Sequence, residues 1–212
     1  MSGKGDPIAP TAVASEFIAS ASSVQSLPAS LAVEVAFAGR SNVGKSTLLN
    51  LLMARKLAHT SSTPGRTRTL NFFSVTTRGK SVLAFVDLPG YGFAKRGKSE
   101  RYAWGEVVER YLLERPALAL VVLLVDARRG PEHDDLELLK MLKDEKSGRP
   151  APQVILVATK LDKLPLAQRK PALAAIAKGG HRVHGVSESD AASIAELWRR
   201  MLATLGLERP SE

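Results

Sequence analysis

The sequence predicts an α/β fold in three layers: a six-stranded, mostly parallel sheet with one antiparallel strand and helices on both faces. Three observations carry this expectation. From residue 33 onward, short apolar runs alternate with longer amphipathic stretches. A glycine-rich loop follows the first run and opens the first helical stretch. The link between the second and third runs is too short for a crossover helix.

The apolar runs stand at 33–38, 70–75, 82–86, 118–125, 154–158 and, more weakly, 182–186. Helices are expected at 45–53, 100–113, 132–143, 166–177 and 191–205. Pro131 before Glu132, Asp134 and Asp135 marks a helix start, because proline suits the first turn and acids complement its positive end. Only residues 76–81 separate the second and third strands, so that pair should be an antiparallel hairpin. Residues 1–31 are rich in Gly, Ala, Ser and Pro and read as a partly ordered extension, whose Phe17, Ile18, Val24 and Leu27 could dock on a neighbouring surface. Residues 32–207 read as one nucleotide-binding domain, and 208–212 as a tail.

A chain of 212 residues suits one domain able to bury about 70% of its unfolded surface, and 44% hydrophobic with 24% charged residues exclude a largely disordered or fibrous protein. The absence of cysteine excludes a disulfide framework, a thiol nucleophile and a Cys-based zinc site, and suits a reducing cytoplasm. No apolar run approaches the ~20 residues that span a bilayer. Lys4, Asp6 and Glu16 interrupt the early residues, so neither a membrane span nor a secretion signal is expected. The net charge of +9 favours an anionic partner, with solubilising charge as the plain alternative.

Gly39-Arg40-Ser41-Asn42-Val43-Gly44-Lys45-Ser46, followed by Thr47, matches G-x-x-x-x-G-K-[ST] at every fixed position. Glycine lets the backbone N–H groups point at a β-phosphate, the helix start adds a positive dipole, Lys45 brings a mobile charge and Ser46 a hydroxyl for magnesium. The third strand runs into Asp87-Leu88-Pro89-Gly90. A carboxylate at a strand's C-terminal end lies in the crevice where open α/β sheets bind ligands, so Asp87 is expected to hold magnesium through a water. The Gly90 N–H can reach a γ-phosphate oxygen. Between these motifs lies Thr63-Pro64-Gly65-Arg66-Thr67-Arg68-Thr69. Thr67 is the candidate hydroxyl that joins magnesium only when the γ-phosphate is present, with Thr63 or Thr69 as alternatives and Gly65 and Arg66 beside the nucleotide.

The fifth strand delivers Thr159-Lys160-Leu161-Asp162. A carboxylate there accepts from N1–H and the 2-amino group of guanine together, a pair of donors that adenine lacks. Lys160 would lie along the base or brace the phosphate loop. After the sixth strand, Val186-Ser187-Glu188-Ser189 is placed to offer backbone N–H groups to the guanine oxygen.

This ordered set resembles the five-motif guanine-nucleotide domain of translation-factor-related GTPases, and its details resemble the EngB family of ribosome-biogenesis GTPases. The features behind the narrower resemblance are Val35-Ala36-Phe37-Ala38-Gly39-Arg40-Ser41-Asn42, the 63–67 loop, Leu70-Asn71-Phe72-Phe73, Asp87-Leu88-Pro89-Gly90-Tyr91-Gly92 and Asp126-Ala127-Arg128. It covers residues 15–205 and implies the P-loop GTPase fold, GTP as substrate, GDP as product and Mg2+ as cofactor. It also implies GTP-dependent assembly of the large ribosomal subunit, with rRNA and ribosomal proteins of the precursor as partners. Lys45, Thr67 and Gly90 are then the catalytic candidates. A monomer is expected, with neither DNA nor membrane as partner. Glu188 stands where small residues are usual, which bears on guanine affinity.

Tyr91 occupies the position at which many small GTPases carry a glutamine that orients the attacking water. Slow intrinsic hydrolysis, raised by a partner, a cation or ordered loops, is therefore expected. Asn42 resembles the asparagine that holds a potassium ion in related GTPases; a side chain that only stabilises its own loop is the alternative. Arg55, Lys56, Arg66, Arg68, Lys95, Arg96, Lys98 and Arg101 gather near the predicted switch loops, where they could contact RNA phosphates or simply be solvated. Tyr91, Phe93, Tyr102 and Trp104 interleave with them. His181 and His184, three apart on a strand, face opposite sides and make no metal site. Two readings remain beside the switch: a nucleotide-gated binding module with negligible hydrolysis, and a P-loop kinase, against which the 159–162 motif argues.

Overall fold

The structure is a computed structural model that describes residues 11–30, 32–58, 69–92, 105–143 and 150–207. The strands are β1 (Ala12–Ala21), β2 (Val33–Gly39), β3 (Leu70–Thr77), β4 (Val82–Asp87), β5 (Leu118–Asp126), β6 (Gln153–Thr159) and β7 (Val183–Gly185). The helices are α1 (Lys45–Met53), α2 (Gly105–Glu114), α3 (His133–Leu142), α4 (Leu166–Ala177) and α5 (Ala191–Thr204). The strands form one sheet in the order β1-β3-β4-β2-β5-β6-β7. β3 runs against both neighbours, β1 and β4, and every other pair is parallel. The expected single antiparallel strand is therefore β3, closed onto β4 by the hairpin at 78–81.

Strand alternation divides the apolar side chains between two cores. Leu120, Val122 and Leu124 of β5 join α1 and α5 through Leu49, Leu52, Leu197 and Met201. Val121, Leu123 and Val125 face α2 and α3 through Tyr111, Leu112, Leu138 and Leu139. A strand buried on both faces reads as a continuous apolar run, which is why β5 and β6 stand out in the sequence. Trp198 of α5 stacks on Phe85 at 5.3 Å and donates its indole N–H to Leu52 O at 3.2 Å.

The sheet has seven strands, not six. Residues 12–21, expected within an extension, pair antiparallel with β3 and form an edge. Their signal is weak because the buried positions of β1 are Ala12, Ser15 and Ala21, while Val13, Phe17 and Ile18 stay exposed. Ser15 Oγ donates to Met53 O at 2.9 Å and Arg55 donates to Ser15 O at 2.9 Å, fastening β1 to the end of α1. Near the same end of the sheet, the buried Glu34 takes Arg115 as a two-pronged partner at 2.6 and 3.1 Å, and Arg115 also donates to Pro28 O at 2.8 Å. That pair pins the segment after β1 beneath β2 and β5. The last strand is shorter than expected, three residues against five; His184 lies on β7, whereas His181 lies before it and not on the strand the two histidines were expected to share.

Candidate phosphate and guanine site

β2, β4, β5, β6 and β7 all point the same way, so the loops at their C-terminal ends share one edge. The chain turns from one side of the sheet to the other at β2, between β4 and β5, the place where doubly wound sheets open a crevice. The glycine-rich loop leaves β2 there and enters α1.

Two positions explain the loop's shape. A Cβ at Gly39 would stand 2.9 Å from both Leu124 O and Val43 Cγ1, so the loop packs as tightly as backbone allows. Gly44 has φ +102°, and it opens α1 without any side chain capping the helix start. Asn42 is left-handed at φ 62° and exposed, whereas Val43 is buried in the α1 core. Ser41 N donates to Tyr91 O at 2.9 Å, tying the loop to the turn after β4. Lys45, Ser46 and Thr47 form the first turn of α1, all partly accessible.

Asp87 ends β4 beside Phe37 of β2, is 8% exposed and forms an ion pair with Lys45 Nζ. Leu88 and Pro89 are buried behind it, while Gly90 is exposed. A Cβ at residue 90 would lie 3.1 Å from Ser41 Cα, so Gly90 lies directly against the phosphate loop. The donor set suits a magnesium nucleotide: an uncapped helix start for phosphate, one hydroxyl on Ser46 and one carboxylate on Asp87 for the ion. Among the described residues no group of three or more His, Cys, Asp or Glu could hold a metal by itself. Such a site would need the nucleotide's phosphates to complete it.

At the end of β6, Thr159 Oγ1 lies 2.7 Å from Val43 O and 3.2 Å from Val125 O. Lys160, left-handed at φ 57°, sends its Nζ to Asn42 O at 2.7 Å and so reaches across to the phosphate loop. Asp162 sits in a short 3-10 turn, Leu161–Lys163, exposed, with Lys163 Nζ 3.3 Å from its Oδ2. Val186 N donates to Ala158 O at 2.8 Å, which places the loop after β7 beside that turn. Ser187 there is buried and Glu188 exposed, so the departure at 188 leaves its charge to solvent. Gly185 allows the approach: a Cβ there would meet Leu161 Cδ2 at 2.9 Å.

Gly65, Arg66 and Thr67 lie outside the described residues, as does Thr63. So do Arg68, Lys95, Arg96, Lys98 and Arg101, with Phe93, Tyr102 and Trp104. Of the basic group, Arg55 is engaged with Ser15, and Lys56 is exposed.

Tyr91 is buried and donates its hydroxyl to Asp135 of α3. Burial, then the Asp135 carboxylate, hold the phenol well above its ordinary value, so it stays protonated. It is turned toward α3. Burial also raises the Asp135 carboxyl, against the pull of the Tyr91 hydrogen bond. His184 Nε2 lies 2.7 Å from the carbonyl of Ser193, and burial lowers the ring's pKa.

The contacts of three residues escape a reading of the sequence. Asn50, inside α1, accepts from Leu57 N at 2.9 Å and Ala58 N at 2.8 Å, fixing the chain that leads to residues 59–68. Its signal is an amide within a helix, a residue type that usually prefers ends and turns. Arg40 reaches Asp134 at 2.9 Å, joining the phosphate loop to α3. Asp126, at the end of β5, accepts from Arg128 at 2.9 and 2.6 Å and lies 3.5 Å from Lys160 Nζ. The hydrogen bond from Arg128 holds its carboxyl down at about 2.

The family model described as 50S ribosome-binding GTPase matches residues 34–160. A probable GTP-binding protein EngB of Exiguobacterium sibiricum is 49% identical over 162 residues, covering 76% of this chain and 79% of that protein. A probable GTP-binding protein EngB of Koribacter versatilis is 39% identical over 203 residues, covering 94% and 98%. Among solved structures, a single-residue variant of Aquifex aeolicus Era bound to GDP.AlF4- superposes with TM-score 0.65 at 26% identity, over 84% of this chain and 57% of that one. The matched span includes the phosphate loop, the Asp87 turn and the start of the 159–162 motif. On these grounds the chain belongs to the EngB family of P-loop GTPases.

Proposed function

We propose that this protein is a GTP-driven switch in the assembly of the large ribosomal subunit, acting as a monomer in the cytoplasm on precursor particles through their rRNA and ribosomal proteins. Residues 32–207 are its GTP-binding domain. The observation that carries the nucleotide part is the double brace at the sheet edge: Thr159 and Lys160 hold the carbonyls of Val43 and Asn42. The loop that reads the base is thereby built onto the loop that grips phosphate.

The roles follow from position. Amides of residues 39–47, at the uncapped start of α1, receive the α- and β-phosphates. Lys45 exchanges its Asp87 partner for β- and γ-oxygens, and the Gly90 N–H takes a γ-oxygen. Asp162 accepts from the guanine edge, with backbone of 186–188 near the guanine oxygen. Ser46, Thr67 and, through a water, Asp87 would hold Mg2+, which when bound neutralises charge gathering on the phosphate oxygens. Gly65 and Arg66 belong to the same loop as Thr67. Asn42 is the candidate to hold K+; its exposure and left-handed backbone leave its side chain at the loop's rim. Faster turnover in potassium than in sodium chloride supports that role, and equal rates count against it.

One observation favours a second reading, a nucleotide-gated binding module. Tyr91 is committed to Asp135, so no side chain at that position orients water, and intrinsic hydrolysis should be slow. Single-turnover hydrolysis with and without large-subunit precursors separates the two. A rate raised at least about 100-fold by the particles supports the switch, within the ~10⁵-fold known for stimulated systems. GTP-dependent pelleting with an unchanged rate supports the module. Failure to pellet in any nucleotide state contradicts both.

A further inference from the structure

Asp126 and Arg128 stand one step from the residues assigned above to the nucleotide. β5 and β6 pair in register so that Asp126 lies beside Thr159, and Ala127 N donates to Thr159 O at 3.0 Å. The Asp126 side chain is 13% exposed. One of its oxygens accepts from Arg128 Nε at 2.9 Å, the other from Arg128 Nη2 at 2.6 Å, and this second oxygen is also the one 3.5 Å from Lys160 Nζ. Lys160 completes the chain by donating to Asn42 O in the phosphate loop at 2.7 Å. A flexible four-carbon side chain is held between two fixed acceptors, in a left-handed turn that most residues avoid.

We propose that Asp126, clamped by Arg128, is a positioning residue that sets Lys160 as the strut between the base-reading turn and the phosphate loop, so that tight guanine-nucleotide binding depends on it. The inference rests on the nucleotide reading above. A two-pronged arginine keeps the carboxylate charged and oriented, and the charged carboxylate keeps the ammonium on its path to Asn42 O. The Asp126 backbone carbonyl accepts from Arg129 N at 3.0 Å and Gly130 N at 2.9 Å, so the turn keeps its main-chain bonds without the carboxylate's charge. A competing role is purely local, since Asp126 also accepts from Arg128 N at 3.0 Å within its own turn.

Calorimetric GDP titrations of the full chain distinguish the two through a double-mutant cycle. Asp126→Asn is expected to weaken GDP binding about tenfold in the native background, and less than about twofold when Lys160→Met is already present. Equal losses in both backgrounds, or none in the native one, overturn the proposal. Should Asp126→Asn fail to fold, Arg128→Gln, a change at an exposed guanidinium, serves in its place. It should weaken binding about threefold in the native background and not at all in the Lys160→Met background; losses independent of Lys160 overturn the idea. Native protein titrated with ADP tests the underlying reading separately. Equal ADP and GDP affinity defeats guanine selection, while the cycle still reports whether Asp126 acts through Lys160.

Discussion

Helices α1 and α3 begin at the same edge of the sheet, after β2 and β5, and their first turns are opposites. α3 is closed: Asp135 accepts from Glu132 N at 2.7 Å and from the Tyr91 hydroxyl, and Asp134 takes Arg40 at 2.9 Å. Two acids complement its dipole. α1 has no acidic residue in its first turn, no capping side chain, and a lysine where the dipole disfavours one. A helix start that breaks both rules is waiting for negative charge from elsewhere. The closed helix holds the machinery still, and the open one is left free to bind.

Breaking each helix start should therefore show in different assays. Lys45→Ala is expected to weaken GDP binding about 100-fold or more in calorimetry, the largest effect, because the open turn loses its mobile cation. Asp135→Ala at the closed turn should instead lower the unfolding free energy by about 2 kcal/mol in urea titration, by stranding the Tyr91 hydroxyl and the Glu132 amide.

A third variant contrasts the carboxylates at the ends of β5 and α3. Arg128 holds Asp126 at about 2 against an ordinary 3.8, so the folded state binds its proton less readily than the unfolded one. The resulting stabilisation, about 1–2 kcal/mol after solvent screening, is present above the unfolded value and lost as the pH falls toward the folded one. The difference in urea midpoint between native protein and Asp126→Asn should shrink over that window. Asp135, raised by burial, has the opposite sign: its ionisation costs stability as the pH climbs through its folded value. The smallest effect comes from giving α1 what α3 already has. Thr47→Asp should stabilise the nucleotide-free protein by about 0.5 kcal/mol while weakening GDP binding several-fold, since the new carboxylate favours the dipole but repels phosphate.

Much of this is legible in the sequence, for physical reasons. α1 and α4 fall at the expected residues, and β5 and β6 stand out because both of their faces are buried. The phosphate loop is legible because its glycines answer to steric demands that few residues meet, as Gly39 against Leu124 O shows. β1 escapes because an edge strand with alanine and serine on its buried face leaves almost no hydrophobic trace. The network of Arg40, Tyr91 and Asp135 escapes for another reason. Tyr91 and Asp135 stand 44 positions apart and meet only through tertiary packing, an approach that no local pattern encodes.

The most direct test of the account asks which purine the Asp162 carboxylate accepts from. Native protein should bind GDP at least about 1,000-fold more tightly than ADP, and Asp162→Asn should lose GDP and gain xanthosine diphosphate, whose edge offers an acceptor where guanine offers its amino group. Comparable affinities of native protein for GDP and ADP, or an Asp162→Asn variant that keeps its preference for GDP, would contradict it.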